Sequence, residues 1–307
     1  MVESYNTVME RNCPVCGSQD GKPHWQKRDL NLVRCGSCGM IYANPIPVGM
    51  ASGKFYDEVG REYYLSPDKL ESDYADVRFE REIRLFRSYC PRGDVLDVGC
   101  SSGAFLFQLR KRWLADYKVL GMDVSGAPLD YAESRGVPVV RGNVLEEEFA
   151  GRKFDAVTFW AVLEHVAEPG LFLEKAHSVL KPGGVCVVLV PNFRSLAVRL
   201  LGASYRYVYS QHLNYFDSRT LVCLAAKKFE AIETRFTHFN PVVIWQDWRN
   251  EGRDVSNVER ARLLKRTTAY KQKSWMKPVK AAYGVAEYAL ARCGLADNVA
   301  FVLRRRS

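Results

Sequence analysis

The fold is decided by one segment, residues 94–105, which reads DVLDVGCSSGAF. The apolar residues before Gly99 are typical of a parallel strand that is covered on both faces. Gly99 and Gly103 allow backbone angles and close approaches that a Cβ atom would block. The N–H groups at the start of the following helix have no partner within the helix, so they favour a carboxylate or a phosphate. The segment therefore predicts a strand, a ligand-binding turn and a helix.

Strands and helices alternate on both sides of this turn, which predicts an α/β fold with right-handed βαβ units and a parallel sheet. The five strands expected in this region cover residues 94–98, 117–123, 137–141, 154–159 and 185–190. Two further strands are expected at residues 229–236 and 299–303. In an open sheet of this kind, ligands bind beyond the C-terminal ends of the strands.

The residues that follow the first two strands indicate a nucleotide. Asp97 ends the first strand, and Asp123 ends the second, twenty-four residues beyond Gly99. This is the offset at which an acidic residue meets ribose hydroxyls in nucleotide-binding folds. The loop after the first strand lacks the third glycine of the dinucleotide fingerprint, so a dinucleotide is not indicated.

At these positions the chain resembles the class I S-adenosylmethionine-dependent methyltransferases, over residues 75–240. The resemblance rests on Val95–Ala104, Asp123, Gly142-Asn143, Phe154–Val157, Leu163–Val166 and Leu180–Gly184. It implies a Rossmann-like seven-stranded sheet, with the seventh strand antiparallel between the fifth and the sixth, and S-adenosylmethionine as cofactor. The donor-binding residues that it implies are Asp97, Gly99, Cys100, Ser101, Gly103, Asp123, Val124, Asn143, Val144 and Trp160.

Two positions depart from the pattern of this family. Asn143 lies where the family usually has Asp, and its amide oxygen can still accept a bond from the adenine amino group. Ser101 replaces the usual middle glycine of the loop and adds a hydroxyl. Neither change removes a group that the donor needs.

Four cysteines form two Cys-x-x-Cys-Gly turns, and eighteen residues separate Cys16 from Cys35. This is the spacing of a four-thiolate zinc ribbon, with iron as the alternative metal. Because four thiolates leave no open coordination position, we expect the zinc to be structural. The expected ligands are Cys13, Cys16, Cys35 and Cys38.

The sequence divides into three parts. Residues 1–48 form the predicted ribbon, residues 49–92 a linker with lid helices, and residues 93–307 the methyltransferase domain, with a helical insertion at about 245–296. Aromatic residues of the linker, among them Tyr63 and Tyr64, either pack against the domain or cover a pocket.

The net charge of +9 fits RNA, an acidic small molecule or a membrane surface equally well. Residues 249–281 carry ten Lys or Arg against three acids, which indicates a solvated helix pair or a patch for an anionic partner. A contact with a membrane surface is a further alternative, because the basic segment lies beside Trp245, Trp248, Trp275 and Met276. The chain has no long apolar run and its first residues lack a secretion signal, so we expect it in the cytoplasm.

Methyl transfer to a hydroxyl or an acidic carbon requires the loss of a proton, and histidine suits this task. His165 follows the fourth strand, where it acts as a base or shapes the turn. His212 lies on the loop after the fifth strand, where it acts as a base or binds the acceptor. Arg206 lies just before His212 and either contacts an anionic acceptor or covers the sheet. The expected acceptor-binding residues are Tyr63, Tyr64 and Arg206.

The N-terminal ribbon, the Tyr63-Tyr64 pair, Pro191–Phe193 and Gln211–Phe216 resemble a group of bacterial methyltransferases that act on sugars, surface polysaccharides and secondary metabolites. This resemblance implies a small-molecule acceptor that is methylated on oxygen or carbon. An RNA methyltransferase is the alternative, because a zinc ribbon and a basic surface also occur there. A scaffold that binds the donor without transferring its methyl group is a third reading.

Overall fold

The computed structural model describes residues 7–51, 54–250, 253, 255–272 and 277–306; Trp275 and Met276 lie outside these ranges. The strands are β1 (Val8–Met9), β2 (Gly21–Lys27), β3 (Leu30–Cys35), β4 (Ile41–Ala43), β5 (Ile46–Pro47), β6 (Gly93–Val98), β7 (Tyr117–Asp123), β8 (Val139–Arg141), β9 (Phe154–Trp160), β10 (Leu180–Pro191), β11 (Asn214–Tyr215), β12 (Phe229–Thr237) and β13 (Asn298–Arg305). The helices are α1 (Val48–Ala51), α2 (Lys54–Tyr64), α3 (Pro67–Asp73), α4 (Glu80–Tyr89), α5 (Ala104–Trp113), α6 (Gly126–Ser134), α7 (Pro169–Val179), α8 (Leu196–Leu201), α9 (Ser218–Ala225), α10 (Pro241–Arg249), α11 (Asn257–Gln272) and α12 (Lys277–Arg292).

The large sheet has seven strands in the order β12-β13-β10-β9-β6-β7-β8. The five strands from β10 to β8 are parallel, whereas β13 pairs antiparallel with both β10 and β12. The predicted seven-stranded sheet, with its last strand antiparallel between the fifth and the sixth, is therefore confirmed.

Successive residues of a strand point to opposite sides of a sheet, and both sides of this sheet are covered by apolar side chains. Leu96 packs in one apolar cluster with Phe159, Val188 and Phe301. Its neighbour Val95 packs in a second cluster on the other face. This explains why the central strand has an apolar run rather than an alternating pattern.

The cysteine-rich segment is joined to the large domain by a second sheet of four strands, in the order β11-β4-β3-β2. Strand β11 comes from the loop after β10, and Asn214 and Tyr215 pair with Tyr42 and Ile41 of β4. The N-terminal segment and the loop that carries His212 are therefore parts of one structure.

Three helices close the C-terminal edge of the large sheet. Helix α2 is followed by α3, and α11 packs against α3. Lys265 of α11 bridges Asp68 and Glu71, both of α3, at 3.0 and 2.8 Å. The predicted insertion includes α11, α12 and the last part of α10, which begins earlier, at Pro241. Residues of α11 line the site described below. Among the described residues, no helix combines the length and the apolar character needed to cross a membrane.

Candidate active site

A cavity of about 630 Å³ lies at the C-terminal ends of the parallel strands. Its volume is within the range of small-molecule sites, which is about 300–1,000 Å³. Every predicted donor-binding, acceptor-binding and histidine residue except Gly103 lines it. These residues are Asp97, Gly99, Cys100, Ser101, Asp123, Val124, Asn143, Val144, Trp160, Tyr63, Tyr64, Arg206, His165 and His212.

The glycine turn forms one end of the cavity, which we call the donor end. Gly99 has a φ of +71°, and a Cβ atom there would lie 2.5 Å from Cγ2 of Val162. The Ser101 N–H donates to Oδ2 of Asp123 at 2.8 Å, and the Ser125 N–H donates to Oδ1 at 3.0 Å. Asp123 therefore connects the turn after β6 to the turn after β7, and both carboxylate oxygens keep lone pairs for further donors.

Asp97 lies at the floor of the donor end. Its Oδ1 accepts a hydrogen bond from the Thr158 hydroxyl of the neighbouring strand at 2.6 Å. Burial raises the pKa of Asp97 to about 7. A cation near this carboxyl would stabilise its charged form, which is the environment that the amino group or the sulfonium of a bound donor provides.

Three buried polar atoms at the donor end have no hydrogen-bond partner within the described ranges: the hydroxyls of Ser101 and Ser125 and Nε1 of Trp160. Unpartnered buried polar atoms are uncommon and indicate a ligand or water. Asn143 uses its side chain locally, since its Oδ1 accepts from the Leu145 N–H at 3.1 Å. The residues present fit S-adenosylmethionine, with Asp123 and the glycine turn as the groups that would hold it.

Gly103 is not among the residues that line the cavity, and the space around it is filled by packing. It has a φ of +74° and precedes α5, where a Cβ atom would lie 2.8 Å from Cβ of Ala132 in α6. This glycine allows α5 to begin close to α6 and so fixes the position of the donor end.

A second part of the cavity, which we call the acceptor end, contains both predicted histidines. Nδ1 of His165 is 2.8 Å from the Gln211 carbonyl oxygen and 2.8 Å from the hydroxyl of Tyr56. The carbonyl can only accept, so an Nδ1–H that donates to it leaves Nε2 of His165 with a lone pair. Burial lowers the pKa of His165 to about 4, and the ring is therefore neutral near pH 7.

His212 packs in an aromatic group beside His165. Its ring centroid is 4.7 Å from that of His165 and 4.5 Å from that of Tyr209. Burial, together with the charges of His165 and Arg260, lowers the pKa of His212 well below its ordinary value. Both imidazoles are consequently neutral and can receive a hydrogen bond or a proton.

Glu164 is buried beside the two histidines and lines the same cavity. Neither of its carboxyl oxygens has a hydrogen-bond partner in the part of the chain that the structure describes. Burial raises the pKa of Glu164 to about 8. One carboxyl oxygen and one nitrogen of each histidine lie within 4.8 Å of one another. The acceptor end thus gathers two neutral imidazoles, which can accept a hydrogen bond, and a carboxyl that retains its proton near pH 7 and can donate one.

Arg206 lines the cavity, but its guanidinium is largely engaged. Its Nε donates to Oδ1 of Asp247 at 2.8 Å, and its Nη2 donates to the side chain of Gln246 at 2.9 Å. Arg78 and Arg260 also line the wall, and the guanidinium of Arg260, from α11, lies over the Tyr209 ring, 4.1 Å from its centroid.

The four cysteines form a separate cluster. The Sγ atoms of Cys13 and Cys38 are 3.5 Å apart, as are those of Cys16 and Cys35. All four sulfur atoms lie within 4.8 Å of one another. A tetrahedral zinc with Zn–S bonds of about 2.3 Å requires sulfur atoms about 3.8 Å apart, so these residues fit zinc.

The comparison with protein families agrees with this geometry. The family model of a methyltransferase domain matches residues 74–228, which include both ends of β6 and most of the cavity. The chain belongs to this methyltransferase family. The matched range begins before α4 and ends at β12, so α11 and the cysteine cluster lie outside it.

Curated relatives of this methyltransferase include ubiquinone biosynthesis O-methyltransferases. That of Bradyrhizobium diazoefficiens is 33% identical over 141 residues, which are 43% of this chain and 54% of the relative. That of Ruegeria pomeroyi is 30% identical over 210 residues, which are 63% of this chain and 82% of the relative. The match to the first of these relatives spans about half of its length.

Two solved structures share the fold of this methyltransferase. Phosphoethanolamine N-methyltransferase 2 of Haemonchus contortus, in complex with phosphomonomethylethanolamine and S-adenosylhomocysteine, has a TM-score of 0.53 and 17% identity, covering 87% of this chain and 62% of that chain. The [4+2]-cyclase SpnF has a TM-score of 0.51 and 18% identity, covering 85% of this chain and 97% of that chain.

Three residues of the acceptor end did not emerge as site residues from the sequence of this methyltransferase. Glu164 directly precedes His165, and both line the cavity, but the Leu163–Val166 motif alone does not show that the side chains of two neighbours face the same cavity. Tyr56 belongs to the aromatic linker and contacts His165 only after α2 folds over the sheet. Arg260 lies within a run of basic residues, where one inward-facing member has no separate signal.

Proposed function

We propose that this protein transfers a methyl group from S-adenosylmethionine to a hydroxyl of a small molecule. The observation that carries the proposal is the single cavity with two chemically different ends. The donor end offers acidic groups and unpartnered donors to a nucleoside and an amino acid. The acceptor end offers neutral histidines and a buried carboxyl to a group that must lose a proton. The O-methyltransferase relatives support oxygen as the methylated atom.

S-adenosylmethionine supplies an electrophilic methyl group when it is bound. The residues of this chain orient the two reactants, because methyl transfer depends chiefly on an in-line approach. Asp123 and the glycine turn hold the nucleoside. His212 receives the proton of the acceptor hydroxyl as its oxygen becomes nucleophilic. Glu164 retains its own proton near pH 7 and donates a hydrogen bond within the same group. Tyr56 fixes the ring of His165.

The cover of the cavity supports the same function. Helix α2 places Tyr56, Tyr63 and Tyr64 on one wall, and α11 places Arg260, Leu263 and Leu264 on another. These side chains reduce the access of water, which strengthens polar interactions within the site. A cavity enclosed in this way suits a small acceptor, such as a phenol, a sugar or a secondary metabolite.

We also propose that Cys13, Cys16, Cys35 and Cys38 bind one structural zinc ion. The support is the cluster of four sulfur atoms, together with the pairing of β4 and β11, through which the ribbon holds the acceptor loop. A closed set of four thiolates has no position for a substrate. The cytoplasmic location remains a prediction from the sequence.

The proposal is tested by supplying methyl-labelled S-adenosylmethionine with two acceptor pools: a panel of phenols, sugars and nucleotide sugars, and total RNA. We expect label in a small molecule, as a methyl ether that mass spectrometry identifies, and no label in RNA. Replacement of His212 by Ala should reduce that labelling at least tenfold without changing the affinity for S-adenosylhomocysteine. Label in RNA alone, or no affinity for S-adenosylhomocysteine, would refute the proposal.

A further inference from the structure

We infer that the methyl acceptor carries an oxyanion, a carboxylate or a phosphate, and that Arg260 binds it. The inference rests on the proposed function, because it names the class of acceptor that the same cavity takes. Its support comes from the contacts of Arg260, from the pairing of the other cations on the wall, and from the position of Arg260 relative to the histidines.

The guanidinium of Arg260 is fixed in place by groups that carry no negative charge. Its Nε donates to the Val255 carbonyl oxygen at 3.3 Å, and its Nη2 donates to the Arg206 carbonyl oxygen at 3.1 Å. Its plane lies over the ring of Tyr209. A guanidinium held at one side and stacked on a ring presents its remaining N–H groups in a fixed fork, which suits a carboxylate or a phosphate.

Arg260 has no carboxylate partner within the described part of the chain, and this separates it from the other Lys and Arg residues of the wall. Lys69 and Arg78 both pair with Asp73, and Arg206 pairs with Asp247. Arg260 has no carboxylate within 4.0 Å in the described ranges. A half-buried cation without a counter-charge is costly, and an anion on the ligand would offset that cost.

Arg260 lies on the acceptor side of the cavity. Its guanidinium is 4.1 Å from the Tyr209 ring centroid, and that ring is 4.5 Å from the ring of His212. The positive charge of Arg260 contributes to the lowered pKa values of both His165 and His212, after burial. An acceptor with its hydroxyl at His212 would therefore place a second substituent near Arg260.

Arg206, predicted to bind the acceptor, supports this arrangement indirectly. Its backbone carbonyl accepts the bond from Arg260, and its backbone N–H and side chain are both held by Asp247. Arg206 is therefore a positioning residue for Arg260. The basic insertion also gains a role, since α11 carries this cation into the cavity.

The experiment measures the affinity of the full chain, saturated with S-adenosylhomocysteine, for three probes by calorimetry. The probes are 3,4-dihydroxybenzoate, phenyl phosphate and the neutral 3,4-dihydroxybenzyl alcohol. We expect at least one oxyanion probe to bind the unmodified protein, and Arg260→Met to weaken it about tenfold or more. The neutral probe should bind both proteins equally. Arg262→Met, which removes an exposed cation of the same helix, should leave all affinities unchanged.

The outcomes separate the carboxylate from the phosphate. Loss of benzoate affinity alone assigns a carboxylate, loss of phenyl phosphate affinity alone assigns a phosphate, and loss of both assigns a general oxyanion site. Oxyanion affinity that Arg260→Met leaves unchanged, or no oxyanion binding at millimolar concentration, overturns the inference.

Two further measurements keep the result interpretable. Unchanged affinity of Arg260→Met for S-adenosylhomocysteine shows that the variant is folded, and Arg260→Lys should restore part of the oxyanion affinity because it keeps the charge without the fork. Failure of the unmodified protein to bind S-adenosylhomocysteine refutes the proposed function instead, which is a distinct result.

Discussion

The donor end and the acceptor end of the cavity are built in different ways. The donor end comes from short turns that directly follow β6, β7 and β9, and Asp123 connects two of them by hydrogen bonds. The acceptor end is assembled from segments far apart in the sequence, since Tyr56, His165 and Gln211 meet at one nitrogen atom.

This difference indicates how specificity is separated from donor binding. The turns of the donor end depend on the large sheet, whose core is continuous and apolar. The acceptor loop depends on β4 and β11, and therefore on the cysteine-rich segment. A change in that segment should alter the acceptor end and leave the donor end intact. The predictions below test this separation, beginning with the largest effect.

Replacement of Cys13 by Ser should abolish zinc binding and disorder the acceptor loop. A structural zinc site contributes roughly 10 kcal/mol to the folding of a small module, so its loss exceeds the effect of any single hydrogen bond. We expect one zinc per chain in the unmodified protein and none in the variant, measured by atomic absorption. Affinity for S-adenosylhomocysteine should change by less than about threefold, which is less than 1 kcal/mol.

Cys293→Ser is the matched control, since Cys293 is exposed and lies outside the cluster. This variant should keep its zinc and its affinity for S-adenosylhomocysteine. The zinc assignment would be refuted if the unmodified protein contained no metal and were as stable as the metal-loaded protein is expected to be. A loss of affinity for S-adenosylhomocysteine in Cys13→Ser, together with the loss of zinc, would show that the two ends of the cavity are not separate.

Replacement of Asp123 by Ala should have the opposite pattern. It removes the acceptor of the Ser101 and Ser125 N–H groups and the carboxylate expected to bind the ribose. The two hydrogen bonds expected from the ribose hydroxyls to this carboxylate are together worth about 3 kcal/mol. We therefore expect roughly a hundredfold loss of donor affinity, measured by calorimetry. Zinc content should not change. Asp130→Ala, which removes an exposed acid from α6, should bind the donor normally.

The same difference explains how much could be predicted from the sequence. The donor-end residues lie at the ends of strands or in the turns after them, so the order of strands and glycines was sufficient to place Asp97 and Asp123. The position of the seventh strand, between the fifth and the sixth, was expected only from the resemblance to the methyltransferase family. Gly103 was assigned to the donor site, although it lies outside the cavity lining, because glycine spacing does not distinguish a ligand contact from the packing of α5 on α6.

The acceptor end was less predictable for physical reasons. Arg206 and Arg260 are both basic residues in polar segments, and only tertiary structure shows that Asp247 neutralises the first. The pairing of β11 with β4 joins Asn214 to Tyr42, two residues whose separation in the chain gives no local signal. The aromatic residues of the linker predicted lid helices. The contact of Tyr56 with His165, however, depends on how α2 and α11 pack over the cavity.

Arg11 gives a finer test, because it connects the ribbon to the acceptor loop without binding metal. Its buried guanidinium donates to the carbonyl oxygens of Ala43, Ala167 and Leu213 at 3.2, 2.7 and 2.8 Å. Arg11→Met removes these three hydrogen bonds, so we expect a loss of about 2 kcal/mol in the free energy of unfolding. Chemical denaturation measures this loss.

The Arg11→Met variant should keep both its zinc and its donor affinity. Arg92→Met is a suitable control because Arg92 is exposed and lies just before β6. A loss of donor affinity in Arg11→Met alone would show that the ribbon supports the donor end as well, contrary to the comparison above.

The smallest expected effect is a pH dependence that originates at Glu164. Burial raises its pKa from an ordinary value of 4.5 to about 8, so the folded protein retains this proton through a range where the unfolded chain has lost it. The folded state then binds more protons between these values, and its stability falls as the pH rises through them. Glu164→Gln is uncharged at every pH and lacks this term.

The stability difference between Glu164→Gln and the unmodified protein should therefore grow in favour of the variant as the pH rises, by about 1 kcal/mol or more between pH 5 and pH 8. Calorimetric unfolding measures this difference.

His165 and His212 face the carboxyl of Glu164 and have the opposite effect, because their lowered pKa values reduce stability as the pH falls. Both histidines are present in both proteins, so their effect cancels in the comparison. A saturating cationic donor should reduce the slope if its sulfonium lies near Glu164, because a nearby positive charge lowers the pKa of a carboxyl. A slope that is the same with and without the donor would mean that the two ends, although they share one cavity, are not coupled through this charge.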